Sequence, residues 1–260
     1  MITTTAKSVA IVTGASQGIG RATALRLARD FSAIVLVARD KENLEKAATE
    51  VRPLGAEAMI YALDLRQPQS AKNIVEGTLQ RFGRIDALVN IAGAVRQIDL
   101  FQMTDAQWDD GMALKLNAAR RLTIEAWNAL KASKGSVVFI SGSAAFDPKP
   151  GYAAVASINA AINALAKAFA EQGIKDGVQV NSVSPGAVMT GRRRAFFETW
   201  APAHNLTVEE AIKKFPEQAG ITRLGQPEDI ADLMSYLLSP AARWMTGASV
   251  RMDGGEIKGI

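Results

Sequence analysis

VAIVTGASQGIG, residues 9–20, is the stretch that decides the fold. A short Val- and Ile-rich run of the kind that suits a buried strand ends in Thr13-Gly14, passes through Ala15-Ser16-Gln17, and reaches Gly18-Ile19-Gly20 where a helical pattern opens. Glycines at these spacings allow a tight turn and let the backbone approach a pyrophosphate closely. The amides and dipole of the helix that follows favour the anion. Gly14, Ser16, Gln17, Gly18, Ile19 and Gly20 are therefore candidate nucleotide-binding residues. A glycine triplet alone is a weak signal, but a strand before it and a helix after it make it a strong one.

Beyond this unit, short apolar runs alternate with longer segments of helical period. The strand candidates are residues 9–14, 33–38, 56–64, 87–93, 136–141, 178–185 and 249–255. Helix candidates lie between them at 21–30, 41–51, 69–82, 105–131, 155–171 and 227–238. Repeated strand–helix–strand order predicts an α/β chain, a single-domain Rossmann-type doubly wound fold with a mainly seven-stranded parallel sheet and helices on both faces. Nothing resembles a linker, so residues 1–260 read as one nucleotide-binding domain. The segment at about 190–221 interrupts the rhythm. In it Thr207 and Glu210 have the spacing of a capping box that opens a short amphipathic helix, and a helical insertion after a strand's carboxyl end is placed to act as a lid over a ligand crevice.

Composition narrows the function classes. With 48% hydrophobic and 22% charged residues the chain suits a soluble globular protein. It has no cysteine, which excludes disulfides, thiolate nucleophiles and Cys-ligated zinc and is compatible with a reducing cytoplasm. A lone His204 argues against a histidine metal site, so no metal is expected, and His204 itself reads as a surface residue. The first residues, MITTTAKSVAIVTG, run into a strand without the signature of an export signal, and no twenty-residue apolar span is evident. The expected location is cytoplasmic, without a membrane partner. A net charge of +4 gives no support for nucleic-acid binding.

Arg39 follows the second strand, where nucleotide-binding folds distinguish the adenosine ribose. An acidic residue there would bind a free 2′-hydroxyl; Ala38-Arg39 offers instead a cation suited to a 2′-phosphate, favouring NADP over NAD. With TGASQGIG, the motifs Asp64 in ALDL, Asn90-Ile91-Ala92-Gly93, Asn117 in LKLNAARRLT, Pro185-Gly186 in VNSVSPGAVMT, RLGQPEDIA at 223–231 and TGASVRMDGG at 246–255 follow in order. The chain resembles the short-chain dehydrogenase/reductase family over essentially its whole length. The resemblance implies that Asp64, with Leu65, contacts adenine, that Asn90, Ala92 and Gly93 line the cofactor cleft, and that Pro185, Gly186, Val188 and Thr190 approach the nicotinamide. It also implies a homodimer or homotetramer. Ile91 stands where the family usually has a second Asn.

The active site departs further. The family's catalytic Ser, Tyr and Lys positions hold Gly142, Val155 and Asn159 here, and only Asn117, the fourth member, remains. Carbonyl reduction leaves an alkoxide that needs a proton, which the family's Tyr gives once the nearby Lys has lowered its pKa. Val155 can do neither, whereas Asn159 can still hydrogen-bond the nicotinamide ribose. Tyr152 with Ser143 is a candidate replacement, though position 156 is Ala and the Tyr-to-Lys spacing is not recreated; Ser141, Ser157, Lys115 and Lys149 are further candidates. The candidate catalytic set is Asn117, Tyr152 and Ser143. Arg192 and Arg193 open the lid and are candidates to pair with a carboxylate or phosphate on a small, anionic substrate. Two readings stay open: an atypical NADP-dependent oxidoreductase acting on a small carbonyl, alcohol or activated alkene, and a catalytically silent NADP-binding sensor or partner protein. Cofactor-free chemistry on the same fold is disfavoured, because it would not require the glycine turn.

Overall fold

The structure is a computed structural model describing residues 8–259. Residues 1–7, part of the segment read for an export signal, and residue 260 lie outside the described residues. Seven strands, β1 (Val9–Thr13), β2 (Ala33–Ala38), β3 (Glu57–Ala62), β4 (Ala87–Asn90), β5 (Ser136–Ile140), β6 (Gln179–Pro185) and β7 (Ser249–Met252), form one sheet. Their order is β3-β2-β1-β4-β5-β6-β7, and every neighbouring pair is parallel. The order reverses between β1 and β4, so the crevice beyond their carboxyl ends is where such a sheet takes its ligand.

Successive side chains of a strand point to opposite faces, and each face has its own helices. Val9, Ile11, Val35 and Val37 pack with α3 (Gln69–Phe82), α5 (Ala118–Ser133) and α6 (Ala153–Asp176). Ala10, Val12, Ile34 and Leu36 pack with α1 (Gly18–Leu27), α2 (Lys41–Val51) and α9 (Pro227–Leu238). Burial on both sides explains why these strands read as continuous apolar runs rather than alternating ones.

Four differences from the sequence reading matter. Helix α1 begins at Gly18 instead of Arg21, so the glycines form its first turn. The expected helix at 105–131 is divided into α4 (Asp105–Gly111), a π-helical stretch Met112–Asn117, and α5. The insertion contains α7 (Gly191–Trp200) as well as α8 (Val208–Ala219), the latter opened by the Thr207–Glu210 capping box as expected. Phe197, Ala201, Ala211, Ile221 and Leu224 give it a small core of its own. Finally, Pro150–Asp176 is long and apolar enough to cross a membrane by length and composition alone, a feature the sequence reading does not single out. Ile162, Ala166 and Ala170 of this segment are packed into the core, the behaviour of a core helix.

A single hydroxyl ties the crevice together. Thr13 Oγ1, at the end of β1, donates to the Val89 carbonyl at 3.3 Å and accepts from the Ile91 and Ala92 amides at 2.8 and 3.0 Å. Thr13→Val keeps the shape and leaves two amides without this acceptor, so it is expected to cost roughly 1–3 kcal/mol. Urea unfolding should show the midpoint falling at constant m-value; an unchanged midpoint would show that the hydroxyl does not hold the two strand ends.

Candidate active site

The glycine turn is packed so closely that side chains do not fit. A Cβ on Gly20 would lie 2.1 Å from the Gly14 carbonyl oxygen, while one on Gly14, whose φ is +69°, would press on the Ala92 amide at 3.1 Å. Gly18 has φ +54° and faces the Thr190 methyl, at 3.3 Å from a built Cβ. The turn thus touches both the loop after β4 and the loop after β6. Gln17 precedes α1 without a side-chain cap, and the first turn carries no acidic residue. Its amides are free to receive an anion. Asn90 is pinned by donation from its amide to Thr123 Oγ1 at 3.1 Å, which fixes the end of β4. The Cβ-free cradle, the uncapped helix start and the unopposed dipole fit a dinucleotide pyrophosphate.

At the far end of the crevice, Arg39 is 64% exposed and lies 4.0 Å from Asp64. Asp64 also receives the Arg66 backbone amide at 3.0 Å and its guanidinium at 3.3 Å, and Arg66 reaches Asp110 at 2.5 Å. Leu65 between them is buried. Asp110 is held below the usual carboxylate range chiefly by Arg66, with Arg96 and Arg39 contributing. The local surplus is cationic, as a 2′-phosphate requires.

The reaction end is organised around a residue that sequence reasoning ranked only among further substitutes. Lys115, in the π-helical stretch, sends its ammonium between the ends of β4 and β5 and helix α6. There Nζ donates to the Ser141 carbonyl at 2.9 Å and to Asn159 Oδ1. Asn159 is 2% exposed, and its backbone carbonyl accepts from Ser141 Oγ at 2.8 Å. A Cβ on Gly142 would come within 2.6 Å of Asn159 Nδ2, so the space of the family's Ser side chain is taken by the Asn159 amide. The stem of Lys115 passes Gly93, where a Cβ would meet it at 3.0 Å. Burial, with the Arg192 charge as a lesser cause, brings the ammonium down to about 7. Asn117 ends the π-helical stretch and precedes α5.

The other candidates fall differently. Tyr152 donates to the Asp147 carbonyl at 3.4 Å, and burial followed by the Asp147 charge pushes its phenol up, away from proton transfer at neutral pH. Ser143 donates to Glu256 at 3.4 Å, and Tyr152 also feels Glu256, but the two proposed partners share no hydrogen bond. Lys149 pairs with Asp147 at the surface. Ser157 is exposed. Glu256, not foreseen from the sequence, also accepts the Ala187 amide at 3.1 Å; a Cβ on Gly186 would lie 2.7 Å from its Oε2 and from Asp253. Pro185 ends β6, and Val188 bridges to Gly225. In the lid, Thr190 caps α7 by accepting the Arg193 amide. The Arg192 guanidinium reaches the Gly93 carbonyl at 2.7 Å, while that of Arg193 lies over Phe196 and Phe215 at 5.4 and 5.5 Å. Arg194 pairs with Glu209 at 2.9 Å. His204 is exposed, and its ring stacks on Trp200. Among the described residues no group of acidic or histidine side chains could hold a metal.

A parallel sheet with a glycine cradle at its switch point defines a dinucleotide-binding protein of the Rossmann class. The family model described as enoyl-(acyl carrier protein) reductase matches residues 14–256. An uncharacterised oxidoreductase of Bacillus subtilis is 30% identical over 96% of both chains. A 3-oxoacyl-[acyl-carrier-protein] reductase of Thermotoga maritima is 29% identical over 96% of this chain and 97% of its own. The crystal structure of L-sorbose reductase from Gluconobacter frateurii, complexed with NADPH and L-sorbose, superposes with a TM-score of 0.93 at 28% identity, covering 98% of each chain. The chain belongs to the short-chain dehydrogenase/reductase family, whose members are NAD(P)-dependent oxidoreductases.

The enclosed lysine has a thermodynamic consequence. The folded protein releases this proton near 7, whereas the unfolded chain keeps it to the ordinary lysine value of 10.5. Between these values the unfolded state binds more protons, so stability contributed at this site rises with pH. Relative to Lys115→Met, the wild type should therefore gain stability as pH rises through that window. Denaturant titrations of both proteins at several pH values would show it; a pH-independent difference would refute the burial of the charge.

Proposed function

We propose that the protein is an NADPH-dependent reductase of a small carbonyl compound, with alcohol oxidation or reduction of an activated alkene as chemically related alternatives. The observation that carries this reading is the side-chain-free approach of Gly20 to Gly14, opening onto a crevice that ends at an enclosed ammonium. A chain with no dinucleotide to hold would have no need of that packing.

In this reading Gly14, Ser16, Gln17, Gly18, Ile19 and Gly20 hold the pyrophosphate, and Arg39 receives the 2′-phosphate. Asp64 and Leu65 border the adenine. Asn90, Ala92 and Gly93 line the middle of the cleft, with Pro185, Gly186, Val188 and Thr190 beside the nicotinamide and Asn159 at its ribose. Bound NADPH supplies the hydride. Asn117 remains a candidate catalytic residue. Tyr152 and Ser143 border the substrate space with Glu256, where they can orient a hydroxyl or carbonyl group. Arg192 and Arg193 belong to the lid. Arg193 also feels the Glu256 charge, so a substrate anion would rely chiefly on Arg192.

The site's replacement of Tyr by Val155 favours a second reading, an NADP-binding sensor or partner protein without turnover. Exposed Ile124 on α5, Ile174 on α6 and Trp244 support assembly as a homodimer or homotetramer. A cytoplasmic setting suits a chain with no cysteine.

Nicotinamide fluorescence titrations with NADPH and NADH test the cofactor reading. The wild type should prefer NADPH, and Arg39→Ala should weaken NADPH by about tenfold, or 1.4 kcal/mol, while leaving NADH nearly unchanged. Equal effects on both would remove the 2′-phosphate assignment. Reproducible NADPH oxidation with any chemically diverse carbonyl probe supports the reductase; tight binding with none supports the sensor.

A further inference from the structure

We propose that Lys115 is the proton donor of the reaction, a lysine delivered from the helix beside β4 in place of the one the family carries on α6. The assignment deepens the reductase reading above and rests on it.

Two departures from the family pattern, Gly142 and Asn159, and one glycine that the pattern keeps, Gly93, fit together around this side chain. Gly142 leaves the space that the Asn159 amide occupies. Asn159, at the family's lysine position, presents its Oδ1 as acceptor to the Lys115 ammonium. Gly93 leaves the passage through which the Lys115 stem runs. A side chain at 142 would strike Asn159, and one at 93 would strike Lys115. The lysine has therefore been exchanged for another that enters the crevice from the opposite wall.

The electrostatics point the same way. Both acceptors of Lys115 are neutral oxygens, and among the described residues no carboxylate pairs with it. The charge that acts on it is the cation of Arg192. A buried cation without a counter-ion is costly, and such arrangements persist where a ligand supplies the negative charge. The third N–H has no partner among the described residues, so it is free for an oxygen on which charge develops. An ammonium brought to about 7 also matches what a general acid needs near neutrality. Tyr152, pushed the other way, does not.

The step balances simply. The carbonyl carbon gains a C–H bond with hydride from NADPH, the π electron pair moves to oxygen, and that oxygen takes a proton from Lys115 as the N–H bond breaks. The products are the alcohol, NADP⁺ and a neutral amine, which solvent reprotonates.

The test follows NADPH oxidation by full-length wild type, Lys115→Met and Lys115→Arg with L-sorbose, levodione and an acetoacetyl thioester as probes. Lys115→Met should lose ~10²–10⁴-fold in kcat while its NADPH affinity, read by fluorescence, stays within about twofold. The wild-type rate should fall as pH rises above about 7, and the slow residual rate of Lys115→Arg should show no such fall, because its guanidinium stays protonated. A Lys115→Met rate within about threefold of wild type, with the same falling limb, would overturn the assignment and leave the reductase reading intact. A flat wild-type profile accompanied by loss in Lys115→Met would also overturn it, since it leaves the residue a positioning role. Failure of the wild type to reduce any probe would overturn both.

Discussion

The crevice depends on the hydroxyl of Thr13. A parallel sheet whose order reverses leaves two adjacent strands with connections departing to opposite faces, and the gap between those connections is the ligand site. Such a gap closes or frays unless the chain leaving β4 is held to the end of β1. Thr13 holds it, accepting two amides of that chain and donating to a carbonyl of β4. Gly14 then lets the backbone turn against Ala92, and Gly20 lets the helix return beneath the turn. Each contact leaves no room for a side chain, so the geometry that faces a pyrophosphate is set by packing before any ligand enters.

At the opposite end the same economy of space has been rearranged. A Ser–Tyr–Lys site places its lysine on the helix after β5, with the serine opposite. Gly142 has no side chain, and the Asn159 amide lies where one would stand. The amide can accept a hydrogen bond but carries no charge, so a cation must come from elsewhere if the site is to keep one. Lys115 reaches it because Gly93 does not obstruct the stem. The result is a pocket whose charge is enclosed and uncompensated, a state that stability alone would select against.

Much of this architecture was legible in the chain. Strands β2 and β5 stand out because burial on both faces demands continuous β-branched and apolar residues, and α2, α3 and α9 have the period of half-buried helices. Helix α1 starts three residues before its apolar period suggests, because glycine is a poor helix former; here its smallness, rather than propensity, is what the first turn requires. The break between α4 and α5 was not legible at all. A π-helical stretch such as Met112–Asn117 leaves no composition signal, and it is set by what the side chains reach. That is also why Lys115 does not stand out in the sequence: its neighbours give no hint of its partners, Ser141 and Asn159, which arrive from other elements. The signal that could have found it was the simultaneous loss of side chain at Gly142 and of charge at Asn159.

Tyr152 illustrates why proximity in sequence is a poor guide to replacement chemistry. It lies one turn from the vacant tyrosine position, yet it precedes α6, where its hydroxyl meets the Asp147 carbonyl. A tyrosine becomes a useful acid when a nearby cation favours its phenolate. Around Tyr152 the charges include the carboxylates of Asp147 and Glu256, which disfavour the phenolate, and Lys149, whose opposing effect is spent partly on Asp147. Lys115 meets the inverse condition: burial and Arg192 both disfavour its cation, making its proton easier to give. Burial penalises the charged form of each group, but one form is the acid and the other the base. The same physical cause therefore strengthens the lysine as a proton donor and weakens the tyrosine.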